Sequence, residues 1–402
     1  MLVFLIIYSV AFALTASFSL RSWDNEIKAD GDFFREYAVY KQAIAGQLNL
    51  RSDQNRLLES CFFSTILPAL IQRMTKIDPG LLFKIFPSAF SALMPAFVYL
   101  TVRQYLDVQY SLIAAILVIS NFYFLYDSNI GRVGIALGFA SGMVWVLLAG
   151  NAWLSILFAI AMILSHYGTT YLMLYVIGLT WLVLLVIGQD TLRFAVALVT
   201  IGAGVFLWHF VIVKRTGKII VRAFLGMVFN PKSDTLKRPI SCAVIPGITR
   251  VEEADNWVQG FFRLEHREAG VQVAFGKTWR FMNIAQKIEW VLSWLIVLFL
   301  TAGLGIAAQQ GGFTIEFVVL GIIFYSAILL AIAIPHLSVF YGALRVYFSS
   351  LIVLAPCFVF GVKIISESVG LNGYLVAWFI IFWYALAVSG WLHRMMGIKK
   401  RH

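Results

Sequence analysis

The stretch MLVFLIIYSVAFALTASFSL, residues 1–20, carries no charged side chain, and Asp30-Gly31-Asp32-Phe33-Phe34-Arg35-Glu36-Tyr37 follows soon after it. The first run is continuously apolar and long enough for a helix to cross the hydrocarbon core of a bilayer. A β-barrel strand would be shorter and would alternate. No basic segment opens it and no small-residue cleavage pattern precedes Arg21, so it reads as a retained first helix rather than a removed leader. The acidic cluster behind it is a costly placement at a membrane boundary and asks for a chemical reason.

The rest of the 402-residue chain continues in kind, with 61% hydrophobic residues against 13% charged. A mean hydropathy of +0.85 excludes a soluble globular domain. The expectation is an all-α polytopic membrane protein of about 10–12 transmembrane helices. The net charge of +11 points to anionic lipid and phosphate groups as partners. Nucleic acid is not an expected partner, because no basic stripe sits on a soluble module.

Eleven spans are expected: 1–20, 81–102, 109–127, 132–149, 152–165, 169–187, 192–213, 288–308, 314–334, 343–362 and 374–393. Two regions interrupt them. An acidic loop, 21–80, includes an amphipathic stretch Leu57–Met74 suited to the interface. A second loop, 214–287, falls between helices 7 and 8 and carries turn signals at Asn230-Pro231, Arg238-Pro239 and Pro246-Gly247. These divide the chain into an N-terminal transmembrane module (1–213), the second loop and C-terminal transmembrane helices (288–402).

With the N-terminus inside, Arg103, Arg193 and Lys363 fall at cytoplasmic ends, as the positive-inside rule asks. Both long loops then lie outside. Eleven spans also place the Lys399-Lys400-Arg401-His402 tail outside, against its charge, so one span is expected to be miscounted; 152–165 and the apolar Ile219–Phe229 stretch are the weakest. On this topology Asp30, Asp32, Glu36, Asp127, Arg132, His166, His336, Tyr341 and Arg345 all collect at one membrane face.

Asp32 and Glu36 are four apart and share a helix face, with Arg35 beside them. Paired carboxylates near a cation can act as general base on a hydroxyl or hold a divalent ion such as Mg or Mn. Asp32 ranks first, Glu36 second, and Asp30, next to Gly31, can simply shape the turn. The bland reading of all three is a solvated loop with local ion pairs.

Asp127 and Arg132 flank a tight connection. The Arg132 fork suits a phosphate, though a salt bridge or snorkelling to headgroups accounts for it equally well. His166 and Tyr167 sit in the polar run Ser165–Tyr171, where His166 can orient a phosphate or serve only as a satisfied interfacial residue. His336 precedes the late helix; Tyr341 and Arg345 lie one turn apart on one face of it. An Arg one turn into an apolar helix needs a partner, either a ligand phosphate or a buried acid or carbonyl. No phosphate-cradling glycine loop, His-Glu-x-x-His, zinc-spaced cysteine pair or serine elbow is present. A bridge between Cys61 and Cys242 is a minor option.

This arrangement resembles the GT-C superfamily of membrane glycosyltransferases, and more closely an uncharacterised archaeal and bacterial multi-pass family related to it. The matching pieces are Ser19-Leu20-Arg21-Ser22, then Asp32 through Tyr37, Ser165-His166-Tyr167-Gly168, and Tyr341-Gly342-Ala343-Leu344-Arg345-Val346-Tyr347 with Ala355-Pro356 downstream. The resemblance implies a multi-pass cell-membrane enzyme with an extracytoplasmic active site, working in polysaccharide or cell-envelope assembly. It implies transfer of a sugar from a polyprenyl-phosphate-linked donor to a glycan or lipid-linked acceptor. Asp32 or Glu36 would then be the base, with Arg345, His166 and Arg132 on the leaving phosphate. It leaves the metal open. This chain departs from the better-known branches in having only Asp127 as its second loop acid. Two other readings compete: a flippase or transporter of lipid-linked glycans, and a polysaccharide polymerase or ligase. Against transport, the two halves differ and the ionisable groups lie at helix ends rather than at midplane.

Overall fold

The computed structural model describes residues 1–21, 32–48, 60–121, 123–124, 131–213, 217, 284–333 and 343–389. Every described element is helical. In chain order they are α1 (Leu2–Arg21), α2 (Asp32–Ile44), α3 (Ile66–Thr75), α4 (Pro79–Ser91), α5 (Leu93–Val102), α6 (Val108–Ser120), α7 (Gly131–Leu148), α8 (Ala152–Ser165), α9 (Tyr167–Val186), α10 (Leu192–Val205), α11 (Ile284–Gln310), α12 (Ile315–Ala333), α13 (Ala343–Ser368) and α14 (Gly373–Val388). A π-helical segment, Phe206–Ile212, continues α10.

Seven of the described helical stretches are long and apolar enough to cross a membrane, with α4 and α5 together forming one of them. Four shorter apolar helices, α6, α8, α12 and α14, pack among them. Among the described residues each expected span falls mostly on apolar helix, and the stretches 125–127, 334 and 390–393 lie outside the described residues. The doubted 152–165 stretch is helical throughout as α8 and packs between α7 and α10. Ile219–Phe229 and the basic tail lie outside the described residues.

Burial sorts the helices into inner and outer. In the most apolar window of each, 94% of α7 and 83% of α13 is buried, against 28% of α1. Large apolar side chains lie exposed along one face of α1 (Ile6, Val10, Leu14) and on α9, α10 and α14. Such a belt is stable only against other hydrocarbon, which fits helices surrounded by lipid.

Between α11 and α13 the backbones touch. A Cβ built on Gly303 would stand 1.9 Å from the Cys357 carbonyl oxygen, and one on Gly361 would stand 2.1 Å from that of Phe299. Only glycine at both positions allows this approach, the small-residue packing that membrane helices favour.

Several boundaries differ from expectation. The region 21–80 is more than a loop, since it contains α2, α3 and the start of α4. The amphipathic stretch resolves into a helix that begins at Ile66; Pro68 sits in its first turn, where its missing N–H costs nothing. The next helix starts at Pro79, two residues early, because Asp78 accepts from the Leu81 amide (2.7 Å) and Pro79 occupies the first helical position. α6 stops at Ser120 instead of 127, where Asn121 turns extended and its side chain accepts from the Tyr123 amide (3.0 Å). Of the second loop only Gly217 and the residues from Ile284 onward are described.

Antiparallel neighbours give the bundle two unlike ends. At one, the short connections 103–107, 149–151, 187–191, 311–314 and 369–372 are cross-linked. Tyr105 bonds Thr314 (3.2 Å), the Tyr374 hydroxyl donates to Asp107 (2.7 Å), and Arg193 pairs with Glu316. At the other end lie α2, α3, the residue 60–65 turn and the starts of α7, α9 and α13.

Candidate functional site

At the long-loop end α2 is fixed from both sides. Tyr37 and Tyr40 pack on Phe83 of α4, with ring centroids 5.1 Å away in each case. Arg73 of α3 donates to the carbonyls of Ala43 (2.8 Å) and Ile44 (2.9 Å), closing the C-terminal turn of α2. A guanidinium there also meets the negative end of the helix dipole.

So held, α2 turns Glu36 into the protein. Its side chain is fully buried and pairs with the Arg132 guanidinium, which is 3% exposed. The Arg132 amide also donates to the Glu36 carboxylate (3.3 Å), which places the acid at the N-terminus of α7. Gly131 makes room for it, since a Cβ there would meet the Pro87 ring at 2.9 Å and Glu36 at 3.3 Å. Removing one member of such a buried pair costs about 3–5 kcal/mol, because the other charge is left stranded.

His166 occupies the corner between α8 and α9 and is 3% exposed. It is the N-cap of α9: its Nδ1 accepts from the Thr169 amide (3.2 Å) and lies 2.9 Å from the Thr169 hydroxyl. An accepting Nδ1 leaves the ring proton on Nε2. Burial first, then the charges of Arg132 and Arg345 and the ring of His209, hold its pKa well below the usual histidine range. The imidazole is therefore neutral, a donor rather than a cation. Tyr167, half-buried, lays its ring 4.9 Å from that of His166. Arg345 is half-buried in the first turns of α13, within electrostatic reach of His166.

Four further residues gather here or nearby; the sequence offers Cys61 only as a bridge partner for Cys242 and does not single out the other three. Cys61 is buried beside Arg132 and Glu36, and burial pushes its thiol up to about 12. The Trp208 indole donates to the Ser60 carbonyl (2.8 Å), tying the π-helical segment to the residue 60–65 turn. His209 is 1% exposed, with its Nδ1 3.3 Å from the Tyr171 hydroxyl. Glu289 of α11 is also buried, in the electrostatic neighbourhood of Tyr384 along with Tyr347. Of these, His209 alone shows the sequence signal of a lone polar residue inside an apolar run.

The structure thus brings Glu36, Arg132, His166, Tyr167 and Arg345 into one neighbourhood. Asp32 is the first residue of α2, one turn before Glu36, and Arg35 lies on the same helix; the side chains of both fall outside the description. Asp30, Asp127, His336 and Tyr341 lie outside the described residues, as does Cys242. Of the two acids weighed as metal ligands, Glu36 has one oxygen on a guanidinium and the other on an amide, so a divalent ion does not suit it in this arrangement. Among the described residues no group of three or more His, Cys, Asp or Glu side chains gathers as a metal site would require.

The chain matches no protein-family model, and no curated protein is significantly similar to it.

Proposed function

We propose that the chain is a membrane glycosyltransferase of the GT-C kind. It moves a sugar from a polyprenyl-phosphate-linked donor to a hydroxyl of a glycan or lipid-linked acceptor at the extracytoplasmic face. One observation carries this reading: an acid-bearing helix, a neutral buried histidine and two guanidinium groups lie within electrostatic reach of one another at the end of an otherwise apolar bundle. Each group there is costly to bury unless a ligand or partner rewards it.

In this scheme Asp32 is the base. It accepts the proton of the acceptor hydroxyl as that oxygen bonds to the anomeric carbon of the sugar. The bond from that carbon to the phosphate oxygen breaks, and the polyprenyl phosphate leaves with the electron pair. Arg345 supplies charge and His166 supplies a donor to the phosphate oxygens as their charge grows. Glu36 and Arg132 are positioning residues: their pair sets the height of α2, and so of Asp32, against α7.

The test is transfer by the full chain in liposomes supplied with polyprenyl-phosphate sugars and an acceptor glycan. Asp32→Asn is expected to slow transfer by about 10²–10⁴-fold while the protein stays folded. Full-rate transfer by D32N would remove the base from the scheme. Movement of the intact lipid-linked glycan across the bilayer, with no glycosidic bond broken, would overturn the enzyme reading.

A further inference from the structure

We infer that His209 is a further ligand-binding residue at this end of the bundle, donating its Nε2 proton to an anionic phosphate oxygen. The inference deepens the proposed function and rests on its reading of a phosphate held beside His166 and Arg345.

Three observations meet at His209. Its side chain is 1% exposed, and its Nε2 has no hydrogen-bond partner among the described residues. Buried polar nitrogens are almost always paired, so one left open in an apolar bundle calls for a ligand that completes it. Its other nitrogen is occupied by Tyr171, whose hydroxyl lies 3.3 Å from Nδ1 and whose ring lies 5.6 Å from the imidazole at an interplanar angle of 32°. With the Tyr171 hydroxyl donating to Nδ1, the proton resides on Nε2, the nitrogen with no hydrogen-bond partner among the described residues.

The second observation is the backbone. Regular α-helix ends at Val205, and the chain continues as a π-helix through Phe206–Ile212, with His209 at its centre. A π segment is strained relative to an α-helix, and it recurs where a side chain must be re-aimed for function. Trp208, the preceding residue, is pinned to the Ser60 carbonyl next to Cys61, Glu36 and Arg132. The π segment that carries His209 is thus tied, through Trp208, to the turn beside the buried pair.

The third observation is electrostatic. His209 is close enough to His166 to bear on its ionisation, and His166 stands in the field of Arg132 and Arg345. An acceptor entering between these groups is favoured if it is an anion, and a tetrahedral phosphate offers several oxygens to donors converging from different helices.

The test measures binding by the purified full chain in detergent micelles, following tryptophan fluorescence. The probes are a polyprenyl phosphate, the matching polyprenol and inorganic phosphate. His209→Phe keeps the ring against Tyr171 but removes the donor; His209→Gln keeps a donor. H209F is expected to weaken polyprenyl phosphate binding about tenfold or more and leave polyprenol binding unchanged, while H209Q stays within about threefold of wild type. If wild type binds inorganic phosphate alone and H209F loses it, the site stands and its ligand is a free anion rather than a lipid headgroup. Equal phosphate binding by H209F and wild type overturns the inference. Should H209F not fold, ¹⁵N-histidine-labelled wild type supplies the readout: a shift of the His209 ring signals on adding polyprenyl phosphate is expected, and none also overturns the inference. A wild type that binds polyprenyl phosphate through His209 yet transfers no sugar would sink the enzyme reading and leave this site intact.

Discussion

The two ends of the bundle bury their polar residues to different depths. At the short-loop end they serve the chain's own termini. Asp107 caps α6, Asn151 caps α8 and Asn372 caps α14, each accepting from backbone amides one turn ahead. The Arg193 and Glu316 pair there keeps 19% and 14% of its side-chain surface exposed. At the long-loop end the polar groups are sealed: Glu36, Arg132, His166 and His209 are each 3% exposed or less. A capped, half-wetted end is the economical solution for a helical bundle. A sealed charged end costs desolvation that loop closure alone does not require.

That contrast can be attacked most strongly at the buried pair. Glu36→Gln leaves the Arg132 guanidinium without its counter-charge and is expected to destabilise the protein by about 3–5 kcal/mol. Replacing both, as Glu36→Leu with Arg132→Met, should cost less than either single change, because no charge is then stranded. Thermal unfolding in detergent measures all of these. A double variant that loses as much as the two single variants added together would show that the pair does not act as a unit.

A smaller effect is expected at the hinge of that pair. Gly131→Ala introduces a methyl group at 2.9 Å from the Pro87 ring, and Glu36 or the proline must shift. The expected cost is about 1–3 kcal/mol, with a lower transfer rate if the height of α2 matters to Asp32. Unchanged stability in G131A would mean that the approach of α4 to α7 is looser than the geometry implies.

The smallest effect belongs to the short-loop end. Burial works against the Asp107 carboxylate, but the Tyr374 hydroxyl, the amides of Tyr110 and Gln109 and the Lys363 charge together outweigh it and hold its pKa below the ordinary range. A carboxylate depressed in the folded state contributes stability that is fully present above its unfolded pKa of about 3.9 and is lost as pH falls through the folded value. Asp107→Asn should therefore flatten the acid limb of the stability curve below about pH 4 and remove under about 1 kcal/mol at neutral pH, since this end is open to solvent. A change of the size expected for Glu36→Gln would erase the distinction between the ends.

The helices are legible in the sequence because a span announces itself by length and apolarity alone. Their ends are less so. Asp78 and Asn121 move two boundaries through side-chain bonds to amides a few residues away, a local effect that hydropathy averages out. The convergence of polar residues at one end follows from counting spans. Which of them touch does not, because Glu36 and Arg132 are 96 positions apart. His209 escapes a sequence reading for a related reason. It sits in a run apolar on both sides, where no periodic stripe tells which face is inward, so its surroundings are set by packing rather than by pattern.

The glycine contact between α11 and α13 has a mechanical consequence. Two backbones in touch at Gly303 and Gly361 make that contact the natural fulcrum for any relative tilt of the two helices. Arg345 lies 16 residues up the same helix, a lever arm of about 24 Å. A tilt of about 5° at the fulcrum swings its Cα by about 2 Å, enough to make or break a hydrogen bond. The cross-linked short-loop end is the anchored base of that lever.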